Sequence, residues 1–399
     1  MGSISITLMI NYPAAHMKLC TQVRRGMTAM KALSKPVNKA ISSDHRDFCH
    51  NILPKVSVSF ADVILQLTQP QLRDSICNLL LVLRCLDNIE DDMKIPADVK
   101  MAILRNFHHF IYDKDWKYIC GNTDMERELM QGHHQYHAAF MDLEPSSQKT
   151  IADTTKKMGE GMAKFVLKEI KTMEDWEEYI DVVNTTWISG TLRLAETLVG
   201  ETLPEYSLMH EMASLHQKRH TIHNYYDDIT EIPKKKMYWP KEMWSKYVKK
   251  IEDLQYDEVN SIKAVQLVNE MVTNVLSHVE GSLDFTSKIQ DPGVFRIYAL
   301  LQLMSIGELA LCYNNIQVFR KDLKIRAEVK KKICNQTITM ADVYGAFYDI
   351  SCLMKSKVNN NDPLAAETLS RLEAIRQICM DSETLNQRTV IFQSIQDIM

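Results

Sequence analysis

Two acidic segments, distant in the chain, constrain the fold most, because a ligand that uses both must find them side by side. The first, Leu83-Arg84-Cys85-Leu86-Asp87-Asn88-Ile89-Glu90-Asp91-Asp92, closes a long apolar helical run that stops at Ile95-Pro96. Residues three and four apart share a helix face, so Asp87, Glu90 and Asp91 form one oxygen cluster. The C-terminal end of a helix carries partial negative charge, which disfavours further anions there. A bound cation removes that conflict. The second segment, Asn224-Tyr225-Tyr226-Asp227-Asp228, lies on a helical stretch that stops at Ile232-Pro233. Its register repeats the first: Asp87 answers to Asn224, Glu90 to Asp227, Asp91 to Asp228 and Ile95-Pro96 to Ile232-Pro233. Two such helix ends can face each other across the mouth of a bundle. Oxygen donors without a thiolate suit Mg²⁺, which binds through one or two carboxylates together with substrate phosphates. The ligand these clusters imply is a diphosphate.

The segments between them read as helices. Glycine (12) and proline (11) are scarce in 399 residues and 45% of the chain is hydrophobic, which suits one large helical core. The expected organisation is an N-terminal arm over residues 1–40, with a basic patch at Lys18, Arg24, Arg25, Lys31 and Lys35, and one helical domain over 41–399. Periodicity predicts helix on both sides of Pro54, which should mark a break or a first turn, and again from Pro70 to the first acidic segment. Further helices are expected over residues 101–112, 147–171, 176–198, 262–279, 294–313, 340–357 and 364–380. The fold class is an all-α bundle.

Other features narrow the function. A net charge of −4 argues against a nucleic-acid binder. Nine scattered cysteines without a C-x-x-C pair argue against a disulfide framework or thiolate zinc site. His133 with His137, and His216 with His220, have metal-ligand spacing but no adjacent glutamate base, so zinc is not expected. Met1 to Ile6 lack the basic start of a signal peptide, and polar residues such as Arg84, Gln302 and Glu308 interrupt the apolar runs. A soluble, cytoplasmic protein without a transmembrane segment is the expectation. Two glycines within Met158-Gly159-Glu160-Gly161-Met162 weaken a helix and mark the close approach of another backbone or a ligand. Val182, Thr185, Thr186, Ser189 and Gly190 give the following helix a low-bulk face beside Trp187, suited to tight packing or to lining a cavity. Lys234-Lys235-Lys236 is a solvated loop or, beside a diphosphate, an electrostatic lid.

Six motifs carry a resemblance: Leu81-Val82-Leu83-Arg84-x-Leu86-Asp87-x-x-Glu90-Asp91-Asp92-Met93, Asn106-Phe107-His108-x-Phe110, Met158-Gly159-x-Gly161-Met162, Trp239-Pro240-x-Glu242-x-Trp244, Tyr247-Val248-Lys249-Lys250 and Cys312-Tyr313-Asn314-Asn315-x-Gln317-Val318-Phe319. With them, residues from about 42 to about 376 resemble the squalene/phytoene synthase branch of the isoprenoid synthases, the squalene synthase group above all. The resemblance implies an α-helical isoprenoid synthase fold, Mg²⁺ and farnesyl diphosphate. It implies metal binding at Asp87, Glu90, Asp91, Asn224, Asp227 and Asp228, with Arg84 beside them as a catalytic and substrate-binding residue.

The chain also departs from that pattern. Squalene synthases usually carry arginine where it has Val58, and tyrosines where it has Leu80 and Val182, the latter important for catalysis. Their second motif begins with arginine and aspartate where this chain has His223 and Asn224. Lys324-Ile325-Arg326 matches a basic strip of the cofactor-side loop, but Ala327-Glu328 replaces the lysine-glycine that commonly follows. Val58, Leu80, Val182 and Trp187 then read as the lining of an apolar cavity, with Lys324 and Arg326 as further substrate contacts. An apolar cavity shields a carbocation from water. The first reading is therefore a class I sesquiterpene cyclase acting on one farnesyl diphosphate, similar to the fungal squalene-synthase-like cyclases that form humulene, with α-humulene as product. The second is a squalene or presqualene diphosphate synthase that uses NADPH for its reductive step. The third is a non-catalytic paralogue with a degenerate second cluster.

Overall fold

The computed structural model describes residues 45–57, 61–231, 236–256 and 260–392. The arm over 1–40, Val58, Ile232-Pro233 and Lys234-Lys235 lie outside them. In chain order the helices are α1 His45–Val56, α2 Ala61–Leu65, α3 Pro70–Asp91, α4 Ala97–Phe110, α5 Asp124–Gln131, α6 His133–Met141 and α7 Pro145–Phe165. Next come α8 Met173–Ile180, α9 Thr186–Val199, α10 Tyr206–His223, α11 Tyr225–Thr230, α12 Lys241–Trp244 and α13 Asp253–Tyr256. The series ends with α14 Ser261–Leu276, α15 Val279–Ser287, α16 Pro292–Cys312, α17 Ala327–Gln336, α18 Met340–Ser356 and α19 Ala365–Asp381. No strand occurs among the described residues.

The most apolar helix, α16, is the axis of the core. It starts at Pro292, whose missing N–H costs nothing at a first helical position, and the Asp291 side chain accepts from the N–H of Gly293 at 2.9 Å and of Val294 at 3.0 Å. From Val294 onward each of its side chains except Arg296 is buried. Its length and mean hydropathy of 1.5 suit a membrane crossing, yet it lies 94% buried among the other helices, the setting of a core helix. The polar residues that interrupt its apolar run find partners inside the bundle, although Gln302 Oε1 stays buried without one. Gln302 donates to the Ser282 carbonyl, and Glu308 pairs with Arg219 of α10 at 2.7 Å.

Helix α10 packs on α15 and α16, while α9 packs on α7 and α3. The two glycines of α7 permit two further close approaches. A Cβ on Gly159 would lie 2.2 Å from the Leu104 carbonyl oxygen of α4, and one on Gly161 would lie 2.5 Å from Val182 Cβ. Both glycines therefore mark close approach of neighbouring helices.

Two local expectations need correction. Pro54 neither breaks nor starts a helix; it sits in the last turn of α1, where the helix ends two residues later. The helix expected over 176–198 is interrupted by a π-helical turn over Asp181–Thr185, between α8 and α9. This wider turn rotates the side chains that follow, relative to a regular helix. Val182 consequently packs into the space left by Gly161, while Val183 and Asn184 face the central cleft.

Candidate active site

Helix α3 buries Leu79, Leu81, Val82, Leu86 and Ile89 completely. The stripe it leaves, Leu80, Arg84, Asp87 and Asp91, follows the helical repeat and points into a cleft of about 370 Å³. Across that cleft, α10 presents His216, His220 and Asn224, four residues apart, and α11 adds Asp228. The two acidic segments thus share one cleft. A second depression of about 250 Å³, lined by His50, Asp74, Asp142 and Ser147, differs because its aspartates already have partners: His50 for Asp74 and His45 for Asp142.

The charges in the main cleft are unbalanced. Burial above all, with Asp91 and Glu126 adding to it and Arg84 opposing, pushes the Asp87 carboxyl up to about 7. Burial, then Asp91 and Asp87, push Glu90 up to about 8. Glu90 Oε1 is buried with no hydrogen-bond partner, whereas Oε2 accepts from the Tyr179 hydroxyl at 3.2 Å. Arg84 donates to Glu126 Oε1 at 2.8 Å. Glu126 Oε2 in turn accepts from the N–H of Asn122 at 2.7 Å and of Thr123 at 3.1 Å, completing the capping box of α5. The guanidinium is therefore held in place from the far side. Asp92 belongs to the turn that follows, accepting from the N–H of Lys94 at 3.0 Å and of Gly121 at 3.1 Å.

Of the residues expected to bind substrate or metal, Leu80, Arg84, Asp87, Glu90, Asp91, Trp187, Asn224 and Asp228 line the cleft. Asn224 joins α10 to α11, and its amide bonds to His220 and His223. Four expectations are corrected. Asp227 is exposed and off the cleft, close enough to Lys324 to hold its ammonium protonated more firmly. Lys324 and Arg326 are exposed on the surface, paired with Asp322 and Glu328. Val182 is turned onto Gly161 by the π-helical turn. Tyr298 of α16 stands behind Trp187, ring centroids 6.1 Å apart. Val58 lies outside the described residues. The carboxylates face one cleft without converging on a point: among the described residues, no group of three or more His, Cys, Asp or Glu is placed to hold a metal ion.

Several side chains at the site were not anticipated. Tyr179 and Tyr238 line the cleft at the Glu90 end, beside Lys236 of the run already read as a loop or an electrostatic lid. Asn184 lines it too and donates to Gln217 at 2.8 Å. The buried Lys100 ammonium reaches the Glu90 carbonyl at 2.5 Å. Only Glu126 had a sequence signal, the Thr123-x-x-Glu126 capping pattern; the others are brought in by tertiary contacts.

Residues 53–329 match the squalene/phytoene synthase family. This chain belongs to that family. It is 48% identical over 360 residues to squalene synthase of Solanum lycopersicum, covering 90% of this chain and 87% of that one. With squalene synthase 2 of Panax ginseng it shares 49% identity, covering 90% and 86%. The solved complex of TcSQS with the ligand BPH1237 matches at a TM-score of 0.80 and 28% identity, over 85% of this chain and 99% of that one. These family relationships overturn the expectation of a humulene-type sesquiterpene cyclase, since the similar proteins are squalene synthases. The cleft agrees with the correction. Only Val56, Leu80, Leu83, Met158, Val183 and Trp187 are apolar among the described residues lining it, and Val182 is not one of them.

Proposed function

We propose that this protein joins two molecules of farnesyl diphosphate head to head and reduces the product to squalene. In the first half, a C–C bond forms between the two chains and a cyclopropane closes, giving presqualene diphosphate with release of one diphosphate and one proton. In the second, hydride from NADPH replaces the remaining diphosphate. The observation that carries this reading is the shared cleft of the two acidic segments, in a chain close to half identical to proteins named squalene synthase along nine-tenths of its length.

Mg²⁺ suits the donors present. Glu90 offers a buried oxygen without a partner, and the raised carboxyls of Asp87 and Glu90 favour a nearby cation. Mg²⁺ keeps several waters and takes phosphate oxygens as ligands, so the protein need not supply a converged cage. Asp87, Glu90 and Asp91 on one side, with Asn224 and Asp228 on the other, would hold it. Bound there, it supplies Lewis-acid stabilisation of the departing diphosphate. Arg84, pinned by Glu126, offers the same group a charge-assisted hydrogen bond. Leu80, Leu83, Val56 and Trp187 keep water from the prenyl chains, and the Trp187 ring face favours a passing cation.

The test is incubation with farnesyl diphosphate and Mg²⁺, followed by chromatography of the products. Presqualene diphosphate without NADPH and squalene with it are expected. Untouched substrate under both conditions would refute the proposal and favour a non-catalytic paralogue.

A further inference from the structure

The sharpest unexplained feature of the cleft is that a buried phenol, backed by a second aromatic ring, holds one carboxylate. Tyr179, on α8, is 4% exposed and donates to Glu90 Oε2 at 3.2 Å. Tyr238 stacks on its ring, centroids 4.4 Å apart and planes at 25°. Packing alone would be served by phenylalanine; a buried hydroxyl is tolerated because it finds a partner, and for Tyr179 that partner is Glu90. Its effect is to occupy one side of the carboxylate and leave Oε1 buried and unbonded.

Tyr238 comes from the stretch that follows the second acidic segment. That stretch is fastened at several points. Lys236 donates to the Phe165 carbonyl and, at 2.6 Å, to that of Lys168; Trp239 Nε1 donates to the Thr221 carbonyl at 2.9 Å; and the Lys241 N–H donates to the Ile170 carbonyl at 3.1 Å. The chain leaving one acidic segment thus ends with a ring stacked on the phenol that holds the other.

We infer that Tyr179 is a positioning residue, a hydroxyl clamp that holds Glu90 with one oxygen turned to a divalent cation in the cleft, while Tyr238 only backs its ring. The inference rests on the metal-dependent reading above. Partners that orient a metal's ligands typically matter by about 10–100-fold in metal affinity. The test is Mn²⁺ uptake by the substrate-free protein, followed by the electron paramagnetic resonance signal of free Mn²⁺, in wild type, Tyr179→Phe, Tyr238→Phe and the double variant. Phenylalanine keeps the stacked rings, so a purely packing role predicts no change in affinity. The clamp predicts affinity weakened about tenfold or more in Tyr179→Phe and in the double variant, and unchanged in Tyr238→Phe, which keeps the stacked ring. The Mg²⁺ concentration for half-maximal turnover should rise with it, and thermal midpoints should stay near wild type. Should Tyr179→Phe fail to fold, Tyr179→Met, which also lacks the hydroxyl, takes its place. Tight uptake by wild type with unchanged affinity in the Tyr179 variants overturns the clamp only; no uptake by wild type overturns the metal reading and the clamp with it.

Discussion

At Asp87 the demands of stability and function oppose each other. Its folded carboxyl titrates near 7 against an ordinary 3.8, chiefly through burial, so the metal-free protein loses stability as pH rises between those values. Asparagine, neutral throughout, escapes that loss. Asp87→Asn should therefore raise the thermal midpoint of the metal-free protein at pH 7 and above, and the two midpoints should converge below about pH 4. The same variant should lose turnover by more than the roughly 100-fold that a missing outer-shell partner costs. A differential scan and a rate assay check both, and full activity in Asp87→Asn or Asp91→Ala would return the cluster to a solvated helix end. Asn224 allows a finer comparison. Because aspartate offers the same oxygen with added charge, Asn224→Asp should retain turnover while Asn224→Ala loses it. Equal rates in the two variants would remove Asn224 from the metal site.

Among the elements, the regular helices were the most legible. The apolar repeat placed α3, α16, α18 and α19 closely, and the acidic stripe on α3 was visible because the helical period alone sorts its residues between core and cleft. The π-helical turn was not, since the sequence of Asp181 to Thr185 fits a regular helix equally well and the extra width depends on partners elsewhere. Gly161 makes room for Val182, and Asp181 accepts from the Tyr206 hydroxyl at 2.5 Å. That one turn undid the cavity reading of Val182. Tyr238 escaped notice for a related reason, as it sits in a loop positioned only by distant contacts. Gly159→Ala tests the packing claim. With the Leu104 carbonyl 2.2 Å from the new carbon, it should destabilise by about 3 kcal/mol or more in chemical denaturation; a loss under about 0.5 kcal/mol, the scale of an ordinary surface change, would contradict the contact.

His210 joins α10 to the π-helical turn and carries a pH dependence of its own. The Asp181 carboxylate, 3.8 Å away, and a hydrogen bond to Glu177 at 3.2 Å raise its imidazole from 6.5 to about 9. Its contribution is complete below pH 6.5 and is lost as pH rises through 9. Glu177 works in the opposite range: burial raises it, but His210 and Lys218 overcome that and hold it near 2 against 4.5. Its contribution is present above 4.5 and lost as pH falls through 2. The wild-type thermal midpoint should decline between pH 6.5 and 9, and His210→Gln should flatten that decline. Parallel profiles would show that His210 does not link these elements.

For the whole molecule, the all-α architecture and the meeting of two distant acidic segments could be read from the chain, because both follow from periodicity and from what paired oxygen clusters need. The reaction could not. Substitutions at Leu80 and Val182 suggested an apolar sleeve for one cation, but the fold keeps Leu80 in the cleft, turns Val182 away, and lines the space mostly with polar groups. Buried α16 then serves as the core on which α10 sets its half of the site. The proposed function requires this cleft to consume two prenyl diphosphates for each product. Counting diphosphate released against farnesyl diphosphate consumed, with Mg²⁺ and without NADPH, tests it most directly. Joining two substrates to presqualene diphosphate releases one diphosphate for every two consumed, and that ratio is the prediction; one released for each one consumed would contradict it.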